Sequence, residues 1–229
     1  MLRNLGEKLI KSKIGRKLIT EYYFSSLYQE EFFANVMQFL KYNEVEGDYL
    51  EFGVFGGNVF GVAHRYMHRA GLNMKMYGFD SFQGLPKPEG IDDHAGFKEG
   101  HQAMSIEEFR SIVKARGVKE TEYVLVPGFF SESLRKNPPS KIGLKYAALV
   151  YIDCVLYEST VAALDYVLPL LQTGTIIAFD DFYCFKGVPE RGEQRALKEF
   201  LEKNPQITLV GYLNMGRLGK SFIVKKHPN

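Results

Sequence analysis

The residues best suited to chemistry are carboxylates: Glu51, Asp80, Asp153, Asp180 and Asp181 each stand at the end of a short apolar run. In an open parallel sheet, ligands bind beyond the carboxyl ends of the strands, so these acids share one rim if the runs are strands. Asp153, Asp180 and Asp181 come from two such ends. Together they form an oxygen-rich set of the kind that holds Mg²⁺, with water or substrate hydroxyls completing the shell. Without a cation their charges repel one another. The alternative is that one caps a helix and another is solvated.

Glu51 belongs to a second pattern. Residues 49–66 read YLEFGVFGGNVFGVAHRY: an apolar run, then Gly53, Gly56 and Gly57, then Val59, Phe60, Val62 and Ala63 at helical spacing. A glycine turn between a strand and a helix lets the backbone come close to a ligand and offers it free N–H groups. The order, acid then x-Gly-x-x-Gly-Gly, departs from the dinucleotide fingerprint G-x-G-x-x-G. A carboxylate ahead of the glycines repels pyrophosphate and suits a cation, and S-adenosylmethionine carries both an ammonium and a sulfonium. A purely structural turn competes with this reading. Asp80 ends the run KMYGFD, where a carboxylate accepts hydrogen bonds from ribose hydroxyls or caps a turn. Gly128 and Phe129 lead into a short helix at the same rim, and Phe129 either flanks a purine ring or is buried.

Holding these residues in place requires a sheet. Besides the run ending at Glu51, strands are expected at 75–80, 121–128, 146–153, 173–182, 207–212 and 220–226. The stretch YAALVYID is apolar almost throughout, as a parallel strand buried on both faces must be. Helical patterns separate the earlier strands, and SIEEFRSIVKARG opens with a capping box, Ser105 and Glu108. The alternation defines an α/β, Rossmann-like chain: a mostly parallel seven-stranded sheet with helices on both faces and an antiparallel closing strand. Residues 81–104, rich in Gly, Pro and charge, are too long for a simple connector and read as a lid or binding loop. Within that loop His94 and His101 are candidate proton acceptors.

A helical segment, residues 1–46, is expected to precede a sheet domain at 47–229. Residues 1–19 carry Arg3, Lys8, Lys11, Lys13, Arg16 and Lys17 against Glu7. Such a basic amphipathic helix can lie on an anionic membrane surface, on its own domain or on a dimer mate. A second helix over 21–43 carries an aromatic stripe that reads as core, subunit interface or pocket wall. The chain has 229 residues, 45% of them hydrophobic, enough for one domain with a substantial core. Its formal net charge of +2 gives no case for a nucleic-acid partner. Cys154 and Cys184, with no signal-peptide pattern, point to free thiols in a reducing cytoplasm. No apolar run is long enough for a membrane span. His64 and His68 share a helix face with no identifiable partner, and read as surface or interface residues.

EFGVFGG (51–57), GFDSFQGLP (78–86), VPGFFSESL (126–134), YIDCVLYEST (151–160), IIAFDDF (176–182) and GEQRAL (192–197) together resemble the macrocin O-methyltransferase family, S-adenosylmethionine-dependent sugar methyltransferases. The resemblance implies a class I methyltransferase sheet, a homo-oligomer such as a dimer, and Mg²⁺ holding two adjacent hydroxyls of a sugar on a glycan or glycosylated metabolite. It assigns Glu51, Gly53, Gly57, Asp80, Ser81 and Gly128 to the cofactor, and Asp153, Asp180 and Asp181 to the metal.

Where the family reads D-x-D-x-Y, this chain reads DCVLY, so Val155 stands in place of the second acid, the family's proton acceptor. A base elsewhere (His94, His101, Glu158 or Glu190) is one reading, and acidification of the hydroxyl by the metal alone is another. The others are loss of activity, leaving a catalytically silent cofactor- or glycan-binding protein, and an introduced substitution at 155. The glycine spacing argues against a dehydrogenase on the same sheet.

Overall fold

The computed structural model describes residues 13–93 and 96–226, with side chains from residue 27 onward. Helix α1 (Lys13–Tyr42) leads into β1 (Asp48–Phe52), α2 (Asn58–Ala70), β2 (Met76–Asp80), α3 (Ile106–Ala115) and β3 (Tyr123–Pro127). There follow α4 (Phe130–Lys136), β4 (Ala147–Ile152), α5 (Tyr157–Val167), β5 (Ile176–Phe179), α6 (Gly192–Lys203), β6 (Ile207–Met215) and β7 (Gly219–Lys226). One sheet holds all seven strands in the order β3-β2-β1-β4-β5-β7-β6. The first five run parallel, and β7 is antiparallel to both β5 and β6.

The two faces follow from the period of two along each strand. Tyr49, Tyr151, Ile176 and Ala178 pack beneath α1, α2 and α3, while Leu50, Phe52, Phe79, Val150 and Phe179 pack beneath α4, α5 and α6. Strand β4 is buried along its whole length, as its uninterrupted apolar sequence requires. Strand β6, at the edge, keeps four of its nine positions exposed to solvent.

Residues 1–19 and 21–43 do not form two helices with a break near residue 20: a single helix runs from Lys13 to Tyr42. The reason is local, because the sequence has no Gly or Pro between Arg16 and Glu46 to end it. Residues 1–12 and the basic side chains expected on 1–19 lie outside the described residues. Further along, Phe32, Phe33, Val36, Met37 and Leu40 are buried, and Phe33 stacks on Tyr151 with centroids 5.6 Å apart. Each such side chain contributes roughly 1.5–3 kcal/mol by burial, so this part of α1 is held as core. Among the described residues no helix is long and apolar enough to cross a membrane.

Candidate active site at the carboxyl rim of the sheet

Backbone hydrogen bonds join the strand ends in a row. Gly128 N–H donates to Asp80 O at 2.9 Å, Gly53 to Phe79 O at 2.8 Å, Asp153 to Phe52 O at 2.8 Å and Asp180 to Ile152 O at 2.9 Å. This row sets Asp80, Asp153 and Asp180 along one rim. Gly53, at φ +91°, sits where a Cβ would lie 2.0 Å from the Asp153 carbonyl oxygen. The close approach expected of a ligand is therefore made here by the chain itself. A Cβ on Gly57 would meet the side chains of Val113 and Phe109 at 3.1 and 3.4 Å. Asp80 accepts the N–H of Val54 at 2.8 Å and of Phe82 at 2.7 Å, one on each oxygen, and so fixes both the glycine turn and the start of the following loop.

The acids are buried with little to neutralise them. Burial pushes the Glu51 carboxyl up to about 8, against a hydrogen bond from the Tyr49 hydroxyl that opposes the shift. Burial, then the charges of Asp180 and Asp181, hold Asp153 well above the usual carboxylate range. Asp180 is raised by burial and restrained by the Tyr151 hydroxyl, which donates to it at 2.5 Å. Asp181 rises to about 6 through burial and the charge of Asp180. Beside them stands Glu193, from the first turn of α6 and only 1% exposed. Its Oε2 accepts the Asp181 N–H at 3.1 Å, while its Oε1 is buried with no hydrogen-bond partner. Burial and then Asp181, Asp153 and Asp180 push its carboxyl well up. Among the described residues none of Asp153, Asp180, Asp181 and Glu193 pairs with a lysine or arginine.

An all-oxygen set without a counter-ion, with one orphaned buried oxygen beside it, fits the chemistry of a hard divalent cation. The aspartates are nonetheless splayed. Asp180 is held by Tyr151, and Asp181 accepts from Cys184 Sγ at 3.2 Å. The three do not bring one oxygen each within 4.8 Å of the others; among the described residues only His64, His68 and Glu122 form such a trio.

Two cavities open along this rim, with no lining residue in common. The larger, about 900 Å³, is lined by Gly53, Asp80, Ser81, Phe129, Asp153 and Glu158, among others. The smaller, about 400 Å³, is lined by Tyr28, Gln29 and Phe32 of α1, by Tyr151, Asp180 and Asp181, and by the turn at 215–218 that closes the β6–β7 hairpin. Glu51, Gly57, Gly128, His101 and Glu190 line neither, and His94 lies outside the described residues. The loop expected at 81–104 lines the larger cavity through Gly84–Lys87 and Glu89–Asp92. It is tied down by Asp92, 2% exposed, which accepts the N–H groups of Tyr157 and Glu158 at 2.7 and 3.2 Å and so caps α5. Val155 is buried at φ +52°, inside a tight turn closed by the Leu156 N–H to Cys154 O bond. A β-branched residue there is strained.

Sequence reasoning missed Glu193, which in GEQRALKEFLEK looks like an ordinary acid in a first helical turn. It also missed Tyr28, Gln29 and Arg217 in the smaller cavity. For Tyr28 the aromatic stripe was a signal; for Gln29 and Arg217 there was none.

Five parallel strands, with an antiparallel β7 inserted between β5 and β6 and helices on both faces, make this a class I methyltransferase fold. The calicheamicin methyltransferase CalS11 superposes with a TM-score of 0.73 at 22% identity, over 96% of this chain and 90% of that one. The model of the macrocin-O-methyltransferase (TylF) family matches residues 30–208, and the chain belongs to that family. An 8-demethyl-8-(2,3-dimethoxy-alpha-L-rhamnosyl)-tetracenomycin-C 4'-O-methyltransferase of Streptomyces olivaceus is 30% identical over 147 residues, 60% of this chain and 54% of that protein. The demethyldecarbamoylnovobiocin O-methyltransferase of Streptomyces niveus is 30% identical over 149 residues, 61% of this chain and 54% of its own length. The chain thus spans about half the length of the curated relatives it matches.

Proposed function

We propose that this protein is an S-adenosylmethionine-dependent, Mg²⁺-dependent O-methyltransferase acting on a sugar hydroxyl of a glycosylated small molecule. The observation that carries the reading is one rim of acids served by two cavities, the larger lined by Asp153 and the smaller by Asp180 and Asp181. Family membership and the names of the two Streptomyces relatives support the reaction, and the rhamnosyl-tetracenomycin name of the first supports the sugar.

In this reading the larger cavity takes the cofactor. Gly53, Asp80 and Ser81 stand at its strand-end side and Phe129 on its wall, with Glu51 buried behind the glycine turn as a carboxyl whose ionisation a cationic ligand favours. Asp153, Asp180 and Asp181 would hold Mg²⁺. S-adenosylmethionine supplies an electrophilic methyl on sulfonium, and Mg²⁺ supplies a Lewis acid that lowers the pKa of a bound hydroxyl. The task left to the chain is alignment. Tyr28 and Phe32 flank the acceptor, Tyr151 keeps the Asp180 carboxylate aimed, and the tethered loop screens the larger cavity from water. Of the expected proton acceptors His101, Glu158 and Glu190, Glu158 alone lines either cavity, on the cofactor side, so it could take the proton only where the two ligands meet.

Val155 favours a second reading, a protein that binds cofactor or glycan without transferring methyl. Turnover on a panel of glycosides with S-adenosylmethionine and Mg²⁺, paired with calorimetry, decides between them. Asp180→Asn is expected to abolish turnover and leave cofactor affinity nearly intact. Equal loss of both would refute the division of roles, and cofactor binding with no turnover on any glycoside would favour the silent protein.

A further inference from the structure

The trio that does converge lies at the opposite end of the sheet. His64 and His68 sit one turn apart on α2, with ring centroids 4.3 Å apart. Glu122 reaches them from the 3₁₀ turn just before β3, at the amino end of that strand. Its Oε2 lies 3.2 Å from His64 Nε2 and its Oε1 lies 3.0 Å from His68 Nε2. One oxygen or nitrogen from each residue falls within 4.8 Å of the other two.

We infer that His64, His68 and Glu122 form a Zn²⁺ site that ties α2 to the entrance of β3, separate from the acids at the catalytic rim. Zn²⁺ bonds to imidazole nitrogen and carboxylate oxygen are about 2.0–2.2 Å long, which puts tetrahedral ligand atoms about 3.3 Å apart. The separations of 3.0 and 3.2 Å, one to each oxygen of Glu122, are close to that value, and one ligand atom from each residue lies within 4.8 Å of the other two. Two imidazoles with one carboxylate select Zn²⁺ over Mg²⁺ or Ca²⁺, which prefer all-oxygen shells.

The ligands are already ordered. Glu122 is fixed by the Lys119 N–H, which donates to its Oε2 at 2.8 Å, and His64 is buried. His68 and Glu122 remain open enough for water to take the fourth position; their side chains are 52% and 22% exposed. The competing account is a hydrogen-bonded His–Glu cluster with no metal.

The test uses the full chain, stripped with a chelator and then saturated with Mg²⁺ so that the carboxylate rim does not compete. Calorimetric titration with Zn²⁺ should show one ion per chain. Long-range proton–nitrogen spectra should show the Nε2 signals of His64 and His68 shifting as it binds. His68→Gln and Glu122→Gln should each weaken binding on the order of tenfold or more, while Asp181→Asn leaves it unchanged. Absence of Zn²⁺ binding under Mg²⁺ would overturn the inference, as would binding lost with Asp181→Asn but kept with His68→Gln. If the ligand variants do not fold, the imidazole signals of the unmodified chain decide alone: no shift at Nε2 means no site.

Discussion

Replacing Gly53 by alanine places a methyl carbon 2.0 Å from the Asp153 carbonyl oxygen and 2.9 Å from its carbonyl carbon. These are backbone atoms at the joint between β1 and β4, with no flexible side chain to turn aside. Ordinary contact begins near 3.4 Å, so the two strand ends must part by about 1.4 Å. The φ of +91° adds a second cost, because an L side chain in the left-handed region is strained by about 1–2 kcal/mol. Overpacking of this kind costs about 1–3 kcal/mol more, giving roughly 2–5 kcal/mol in all. Against a total stability of about 5–15 kcal/mol that is severe, and it corresponds to a fall in Tm of about 4–20 °C. Asp153 follows its carbonyl, and a misplacement near 1 Å can cost about a hundredfold in rate. Urea unfolding gives the stability term, and turnover at a temperature where the variant is folded gives the second. Unchanged stability, with only cofactor affinity reduced, would refute the reasoning, since it would mean that the space at Gly53 is reserved for a ligand after all.

Glu51→Gln tests the buried carboxyl. The folded-state pKa of about 8 exceeds the ordinary 4.5, so the native state binds more protons over that interval. The stability Glu51 contributes is therefore complete below about 4.5 and is lost as pH rises through about 8, by up to about 1.4 kcal/mol per unit. Denaturant melts at pH 5.5 and 8 in cation-free buffer should show a smaller loss in the variant, and equal slopes would refute the assignment. Glu193→Gln removes a carboxyl that burial and its acidic neighbours hold well above the usual range: in chelator at alkaline pH, where it ionises, the variant should melt higher than the unmodified protein, and Mg²⁺ should raise its Tm less. A lower Tm in chelator would show that the Glu193 bond to the Asp181 N–H matters more than the repulsion. Val155→Asp should raise turnover if the missing base limits the rate, with Val155→Asn as the control that shares the easier backbone at φ +52°. Equal rates in the two variants would place the proton acceptor elsewhere.

What was legible in the sequence is what depends on neighbours along the chain. The strands lie within a few residues of the apolar runs, α6 covers residues 192–203 as its pattern indicates, and the Ser105–Glu108 capping box is formed as read. The acids at the strand ends follow from the same logic, because a parallel sheet sends every carboxyl end to one rim. What stayed hidden depends on partners far away in sequence. The space beside Gly53 is filled from residue 153, the partner of His64 and His68 arrives from residue 122, and the start of α5 is capped from residue 92. None of these leaves a local period to detect.

Glu193 shows why such partners matter at this rim. A glutamate in a first helical turn is ordinarily solvated and favourable to the helix dipole. Here α6 is packed so that the side chain turns inward, where it holds the Asp181 N–H with one oxygen and leaves the other unpartnered among like charges. Such an arrangement costs stability in the metal-free chain, since a buried, unpaired polar oxygen is unfavourable by about 1–3 kcal/mol before any repulsion is counted. On the proposed reading a bound cation would offset that cost. The orphaned oxygen of Glu193 thus supports the proposed metal at this rim independently of the number of aspartates nearby.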